Sequence, residues 1–392
     1  MLYVGIDVSK SKHDCFVTNE NGEALTDVFT IQNSRVGFHE LYQTIKSLQP
    51  RPSLANTKVG LEASGHYGDN IVAFLRKVGL SPIILNPLRV NLYRKGQTLR
   101  KTKTDKVDAQ FIAKLLITEN FESQYDASYH SKELKMLTRY RRRIVKIRSM
   151  YKTSYKRLLN IVFPEIEGFV SDTLGITILK LLLKLPNTKA IAHCHLTHLS
   201  KLAQTYSHGR YDKIWAQELK KLAKNSIGSN SPASMLELRH TIQRIISITE
   251  EIEMIEKEIK TLVIDSETPI ITIPGISYTL AAIIIGEIGD IRRFDTSDKL
   301  QAFAGLDPSA YQSGQFTGNK NRMVKRGSTH LRWALIYAAH NVCLNDKNFG
   351  AYLNRKRAEG KHYNNAMGHV AKKLIRVIFQ LMSTGEVYIA KA

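Results

Sequence analysis

The sequence predicts an α/β domain followed by a longer helical remainder, and three observations predict it. Short apolar runs alternate with helical spacing over roughly the first third of the chain. A long basic stretch then runs without Gly or Pro as far as Pro164. Beyond it, isoleucines recur in a heptad pattern. A chain of 392 residues suggests two or three domains at about 150 residues each. The changes of character divide it at 1–127, 128–265 and 266–392.

In the first region Tyr3–Val8, His13–Asn19 and Asp27–Gln32 have strand patterns, with a turn at Asn19–Gly22. Phe38–Leu48 has helical spacing. Lys58–Ala63 and Pro82–Leu85 are further strands, separated by a helix at Asn70–Val78. Three strands in succession and then alternation predict a mixed sheet.

The middle region opens with Lys132–Arg157, where eleven Lys/Arg face the single acid Glu133. Like charges one turn apart destabilise an unpartnered helix. The run, which includes Arg139, Arg141, Arg142, Arg143, Lys146 and Arg148, is therefore expected to meet phosphates rather than to be a merely solvated face. A second long helix spans Ser234–Val263. Ile245, Ile252 and Ile259 recur every seven residues, as do Ile248, Ile255 and Leu262, which predicts a coiled-coil seam. The spacing does not say whether the seam closes within one chain or on another subunit. In the last region, short helices are expected at Leu280–Ile288 and Asp295–Ala304. A Gly/Ser-rich loop at Gly305–Gly318 precedes a long helix from about Thr329, which Ser328 or Thr329 would cap.

The charge balance narrows the function. With 57 Lys+Arg against 35 Asp+Glu, the formal charge is +22, which suits a polyanionic partner. A membrane partner is disfavoured, since Ile176–Leu185 and Leu280–Ile288 are short and interrupted by Lys180, Lys184 and Glu287. The N-terminus reads as a strand rather than a signal peptide. Three distant cysteines imply no disulfide framework. A cytoplasmic protein that handles DNA or RNA is expected.

Four carboxylates stand out. Asp7 ends the strand VGIDVS and Glu62 ends VGLEAS. Asp105 and Asp108 form an i,i+3 pair at the start of a helix in KTDKVDAQFIAKLL. Converging on one site, they would repel unless divalent cations neutralise them, and hard oxygen donors suit Mg²⁺ or Mn²⁺. Two such ions would clamp a scissile phosphodiester. Taken singly, each acid is also explained as a turn or capping residue. Nearby Arg100, Lys101 and Lys103 favour a phosphate-bearing substrate for the group. VGIDVS also opens actin-like ATPases and sugar kinases, but their Gly-rich phosphate loops are missing here.

The last region offers a different chemistry. Ser313-Gly314 lies in the Gly-rich loop, followed by Lys320, Arg322, Lys325, Arg326 and Arg332. A serine among clustered cations is able to attack a phosphate, and equally able to be an ordinary turn residue; Ser309 competes for the role. Pro274-Gly275 in TIPGISYTLAAIIIGEIG resembles a helix–hairpin–helix turn, in which Gly275 would present a backbone N–H to DNA. Ser277 replaces the usual second glycine. His193, Cys194, His195 and His198 lack a second ligand pair at zinc spacing.

GIDVSK, GLEASG, KTDKVDAQFIA, IPGIS, GLDPSAYQSG and RGSTHLRWAL, in that order, resemble the DEDD-motif transposases of bacterial insertion sequences, a family that includes bridge-RNA-guided recombinases. The resemblance spans nearly the whole chain. It implies an RNase H-like (RuvC-like) first domain, a coiled-coil middle and a C-terminal transposase domain. It further implies Asp7, Glu62, Asp105 and Asp108 as ligands of Mg²⁺ or Mn²⁺, with Ser313 as nucleophile. DNA and a structured guide RNA would be the partners, and dimers would pair into a tetramer with sites assembled between subunits, in a bacterial, nucleoid-associated setting. Ser328 stands where the family often carries Asn. A RuvC-like junction nuclease using water, or a non-catalytic nucleic-acid-binding protein, are the alternatives.

Overall fold

In the computed structural model, residues 1–48, 54–63, 65–97, 105–118, 129–308, 312–313, 316–317 and 323–390 are described. The chain forms two units, Met1–Asp126 and Ala127–Ala392.

The first unit is built on a five-stranded mixed sheet. In chain order it holds β1 (Leu2–Val8), β2 (Lys12–Asn19), β3 (Phe29–Gln32), α1 (Arg35–Ser47), β4 (Thr57–Glu62), α2 (Asp69–Lys77), β5 (Ile83–Leu85), α3 (Pro87–Gln97) and α4 (Asp105–Thr118). The strand order is β3-β2-β1-β4-β5. β1 pairs antiparallel with β2 and parallel with β4. The antiparallel pairs follow from short turns, whereas each parallel step needs a crossover helix. The expected strands are all present; α3 was not anticipated.

Alternation along the strands separates two faces. Val4, Ile6, Val8, Cys15, Val17, Val59 and Leu61 form one core with Phe38, Leu41, Ile71 and Leu75 of α1 and α2. The opposite face takes α4. Tyr3 packs with Ile112, Leu115 and Leu116, while Phe16 packs with Ala109 and Ala113. Gly5 makes this approach possible: a Cβ there would stand 2.1 Å from the Ala109 carbonyl oxygen. Since Tyr3 meets residues 112–116 and Gly5 meets 109–113, α4 runs antiparallel to β1. Its N-terminus therefore lies toward the C-terminal ends of β1 and β4.

The second unit is helical. It begins with α5 (Tyr129–Val162), α6 (Ile166–Phe169), α7 (Ile176–Lys184), α8 (Thr188–His193), α9 (Leu196–Ser207), α10 (Lys213–Lys224) and α11 (Pro232–Asp265). Next come α12 (Tyr278–Ile288), α13 (Ser297–Ala304), the two-residue strands β6 (Gln312–Ser313) and β7 (Phe316–Thr317), α14 (Thr329–Asn345), α15 (Lys347–Ala358) and α16 (Tyr363–Thr384). The long helices α5 and α11 are antiparallel: Tyr140 meets Glu251 near one end and Arg157 meets Glu237 near the other. Their apolar stripes serve two cores. At one end Tyr155, Leu158 and Leu159 pack with Leu238, Ile242 and Ile245 under α7–α10. At the other, Leu134 and Ile144 pack with Ile252, Ile255 and Ile259 and with α12, α14 and α16. The isoleucine seam thus closes within the chain. None of the described helices is long and apolar enough to cross a membrane.

One buried charge ties three of these helices together. Glu287 of α12 is 2% exposed and accepts hydrogen bonds from Arg139 Nε (2.7 Å) and Nη2 (3.0 Å) of α5 and from Ser328 Oγ (2.8 Å). Ser328 in turn caps α14 by accepting from the Leu331 N–H at 3.1 Å. Burial pushes the Glu287 carboxyl up, but the bonds from Arg139 and Ser328 and the charges of Arg139 and Lys135 outweigh it, and the net shift is down. A depressed folded pKa contributes stability that is complete above the ordinary carboxylate range and is lost as pH falls through the folded value.

Thermal and denaturant unfolding of three variants checks these contacts. Gly5→Ala should destabilise the first unit by about 3 kcal/mol, because the methyl group must displace α4. Gly96→Ala, with open space around it in α3, should be neutral or stabilising. Glu287→Ala should cost the second unit about 3 kcal/mol at pH 7, since it leaves Arg139 and Ser328 without their acceptor. That difference from wild type should shrink only as the pH falls below the ordinary carboxylate range, in the acid limb set by the depressed carboxyl.

Candidate nucleic-acid processing site

Two of the four sequence-selected acids stand at one level of the sheet. Ile6 of β1 faces Leu61 of β4, so Asp7 and Glu62 occupy the next, matching positions of adjacent parallel strands. Both belong to the face that α4 covers, two residues beyond Gly5 and Gly60. Asp105 is the first residue of α4, and its side chain lies outside the described residues. Asp108, one turn along, is 6% exposed and its Oδ1 accepts from Arg94 Nη1 at 3.0 Å. The helix N-terminus that carries this pair lies at the strand ends where Asp7 and Glu62 stand.

A fifth acid shares that face. Asp14 of β2 lies directly across from Asp7 and is 3% exposed. Thr30 donates to its Oδ1, and Lys12 Nζ is 4.0 Å from its Oδ2. Its signal in the sequence is a charged residue on the inward period of an otherwise apolar strand, His13–Asn19.

Among the described residues no group of three or more His, Cys, Asp and Glu side chains could hold a metal ion; any group that includes Asp105 falls outside that statement. The chemistry of the donors nevertheless fits a hard divalent cation, because carboxylates at matching positions on one face repel without a counter-charge.

The serine loop of the second unit is framed at its base. Pro308 bridges Met323, and the Val324 N–H donates to Asp307 O at 2.9 Å. Arg332 Nη1 reaches Ala304 O before the loop (3.4 Å) and Lys325 O after it (3.1 Å). Gly327 fits against Phe303, where a Cβ would lie 2.3 Å from the carbonyl oxygen. Within the frame, Gln312–Ser313 pairs antiparallel with Phe316–Thr317. Ser309, Lys320, Arg322 and the side chain of Ser313 lie outside the described residues, as do Arg100, Lys101 and Lys103 of the first unit.

The basic helix has two kinds of cation. Arg139 is engaged by Glu287, and Arg141 by Glu256 of α11 (Nε, 2.7 Å). Arg148 lies against Thr249 at 3.4 Å. Arg142, Arg143 and Lys146 are exposed, as are Lys325 and Arg326 after the serine loop. Gly275 has φ +90° and packs on α14, with a Cβ position 2.7 Å from the Asn341 carbonyl oxygen. That contact accounts for the glycine by packing. Ser277 caps α12 by accepting from the Leu280 N–H at 3.3 Å.

Comparison with known proteins points to one family. Residues 4–164 match the DEDD model of the IS110 group, described as a transposase, and residues 267–354 match the IS116/IS110/IS902 transposase family. An insertion element IS116 protein from Streptomyces clavuligerus is 21% identical over 97% of this chain and 94% of its own length. The transposase for insertion sequence element IS1111A from Coxiella burnetii is 24% identical over 88% of this chain and 83% of its own. A Streptomyces coelicolor IS110 protein reaches 30% identity over 31% of the chain. With one family's two domains matched in order at the acid-bearing sheet and at the serine-loop region, the chain belongs to the IS110/IS116 family of insertion-element transposases, enzymes that cut and recombine DNA.

Proposed function

We propose that the chain excises and inserts a mobile element by metal-dependent attack of Ser313 on DNA phosphodiesters, guided by a structured RNA. The observation that carries the metal-dependent half of this reading is the matched position of Asp7 and Glu62 beneath the N-terminus of α4. Residues 1–127 would serve as an RNase H-like (RuvC-like) domain. Residues 128–265 would form the coiled-coil region, and 266–392 the transposase domain. Asp7, Glu62, Asp105 and Asp108 would hold Mg²⁺ or Mn²⁺, Asp108 through Oδ2 while Oδ1 keeps Arg94. Such ions neutralise charge on a phosphate under attack.

The chain's own residues supply the rest. Ser313 Oγ loses its proton and forms a bond to phosphorus as one P–O bond to deoxyribose breaks, and the leaving oxygen takes up a proton. The phosphoserine link conserves the energy of the broken diester, so the strand rejoins without ATP. Lys320, Arg322, Lys325 and Arg326 hold phosphates around the loop. Arg142, Arg143 and Lys146 contact the nucleic-acid backbone, whereas Arg139 and Arg141 hold the helices together. Dimers pair into a tetramer on the DNA.

Two measurements test this reading. Asp7→Asn, Glu62→Gln, Asp105→Asn and Asp108→Asn should each lower cleavage by at least about 10³-fold, and chelation of the metal should do the same. DNA affinity should hold within a few-fold, because phosphate contacts by cations dominate it. Wild-type cleavage rates in all four variants would remove the metal assignment. Ser313→Ala should abolish the SDS-resistant protein–DNA adduct formed with labelled DNA, RNA and Mg²⁺, while binding survives. An adduct that persists would move the nucleophile to Ser309, and protein-free cut ends would indicate attack by water.

A further inference from the structure

On the solvent side of α14, Trp333 and Tyr337 are 42% and 50% exposed, although both are large aromatic residues. Their rings lie nearly parallel, with centroids 5.4 Å apart and planes 8° apart. The Arg142 guanidinium of α5 lies over the indole at 5.3 Å, and its Nη1 is 2.9 Å from His330 Nδ1. Guanidinium, indole and phenol thus make a stacked set one to two turns beyond the framed serine loop. Core packing does not explain it, since Leu331, Ala334, Leu335 and Ala338 already fill the buried side of the helix.

Cations predominate around the set. Arg139, Arg142 and Lys135 act together on His330, and Glu287, the acid that opposes them, is occupied by Arg139 and Ser328. Lys325 and Arg326 lie exposed just before α14. Aromatic faces bordered by cations suit a ligand with flat rings strung on phosphates. A purely apolar protein partner would leave these cations desolvated and unpaired. Fully paired duplex offers its bases only as edges, so the rings select bases that have left the helix.

We propose that Trp333 and Tyr337, with Arg142, form a stacking platform for unpaired DNA bases. This rests on the reading above, in which a strand cut beside the serine loop must leave its complement before it is rejoined. DNA is preferred to RNA because DNA is the substrate of a transposase. The bases next to the break are then transiently single-stranded, and the platform holds them while Arg142 meets the adjoining phosphate.

Binding measurements on the full chain test the platform without any cleavage step. With a fluorescein-labelled, unstructured 20-nucleotide DNA, the Trp333→Ala and Tyr337→Ala variants should each bind about 5- to 150-fold more weakly than wild type. Trp333→Phe should retain most of the affinity, and binding of a 20-base-pair duplex should change less than about twofold. Because the chain has two tryptophans, a Trp215→Phe background leaves Trp333 as sole reporter, and its fluorescence should be quenched by the single strand but not by the duplex. Equal losses on single strand and duplex would overturn the proposal. So would tighter Trp333-dependent binding of RNA of the same sequence, or a change in oligomeric state with unchanged DNA affinity. Failure of the wild-type protein to bind any DNA would overturn the functional reading as well, whereas normal wild-type binding that ignores both substitutions would remove the platform alone.

Discussion

The approach of α4 to the sheet over Gly5 sets the geometry on which the acid site depends. Helix backbone and strand backbone meet where any side chain would collide with the Ala109 carbonyl oxygen. Because the helix runs against β1, this contact directs its N-terminus, with Asp105 and Asp108, toward Asp7 and Glu62. A displacement of α4 by the width of a methyl group would separate a helix-borne pair from a strand-borne pair without altering any of the acids. Asp14, buried across from Asp7 and held by Thr30, adds a further carboxyl group to the same face.

In the second unit the corresponding constraint is electrostatic. Glu287 receives bonds from two other parts of the chain, so a single buried acid fixes the position of α5 against α12 and the first turn of α14. Removing a charge from water is costly, and only a partner set with good geometry offsets it. The same residues that satisfy Glu287 border the exposed set of Arg142, Trp333 and Tyr337. Neighbours on one face of the helix thus make different contacts: Arg139 pairs with Glu287, and Arg142, three residues on, lies over the Trp333 indole.

This division explains how a chain with a formal charge of +22 folds without dispersing its own positive helices. Glu237, Glu251 and Glu256 of α11 line up against the basic helix and bind Arg157, Tyr140 and Arg141. The acids that look like a polar exterior for α11 are in part the counter-charges for α5. Arg142, Arg143 and Lys146 are exposed, and a polyanion is the natural complement of such cations.

Much of this architecture was legible beforehand. Strand alternation is local, so the five strands and their mixed arrangement could be read from runs such as Tyr3–Val8 and Lys58–Ala63. The isoleucine repeat likewise marked α11, and Ser328 the start of α14. The helices α6–α10 and the pair α15–α16 are not among the elements read from the sequence, although α10 and α16 carry apolar residues at helical spacing, as at Ala216, Leu219 and Ala223 or Ala371, Leu374 and Ile378. By itself the sequence determined the charge, the strand ends that carry acids, the motifs of the family and the serine in its loop, since each depends on identity and spacing along the chain. The tertiary structure decided which arginines face inward, that the isoleucine seam closes within the chain, that Gly275 packs against a helix, and that Asp14 joins the acid face. It also decided that two aromatic residues remain in solvent beside a guanidinium. Those outcomes depend on tertiary contacts, such as that of Arg139 with Glu287, 148 residues on, and spacing along the chain does not specify such partners.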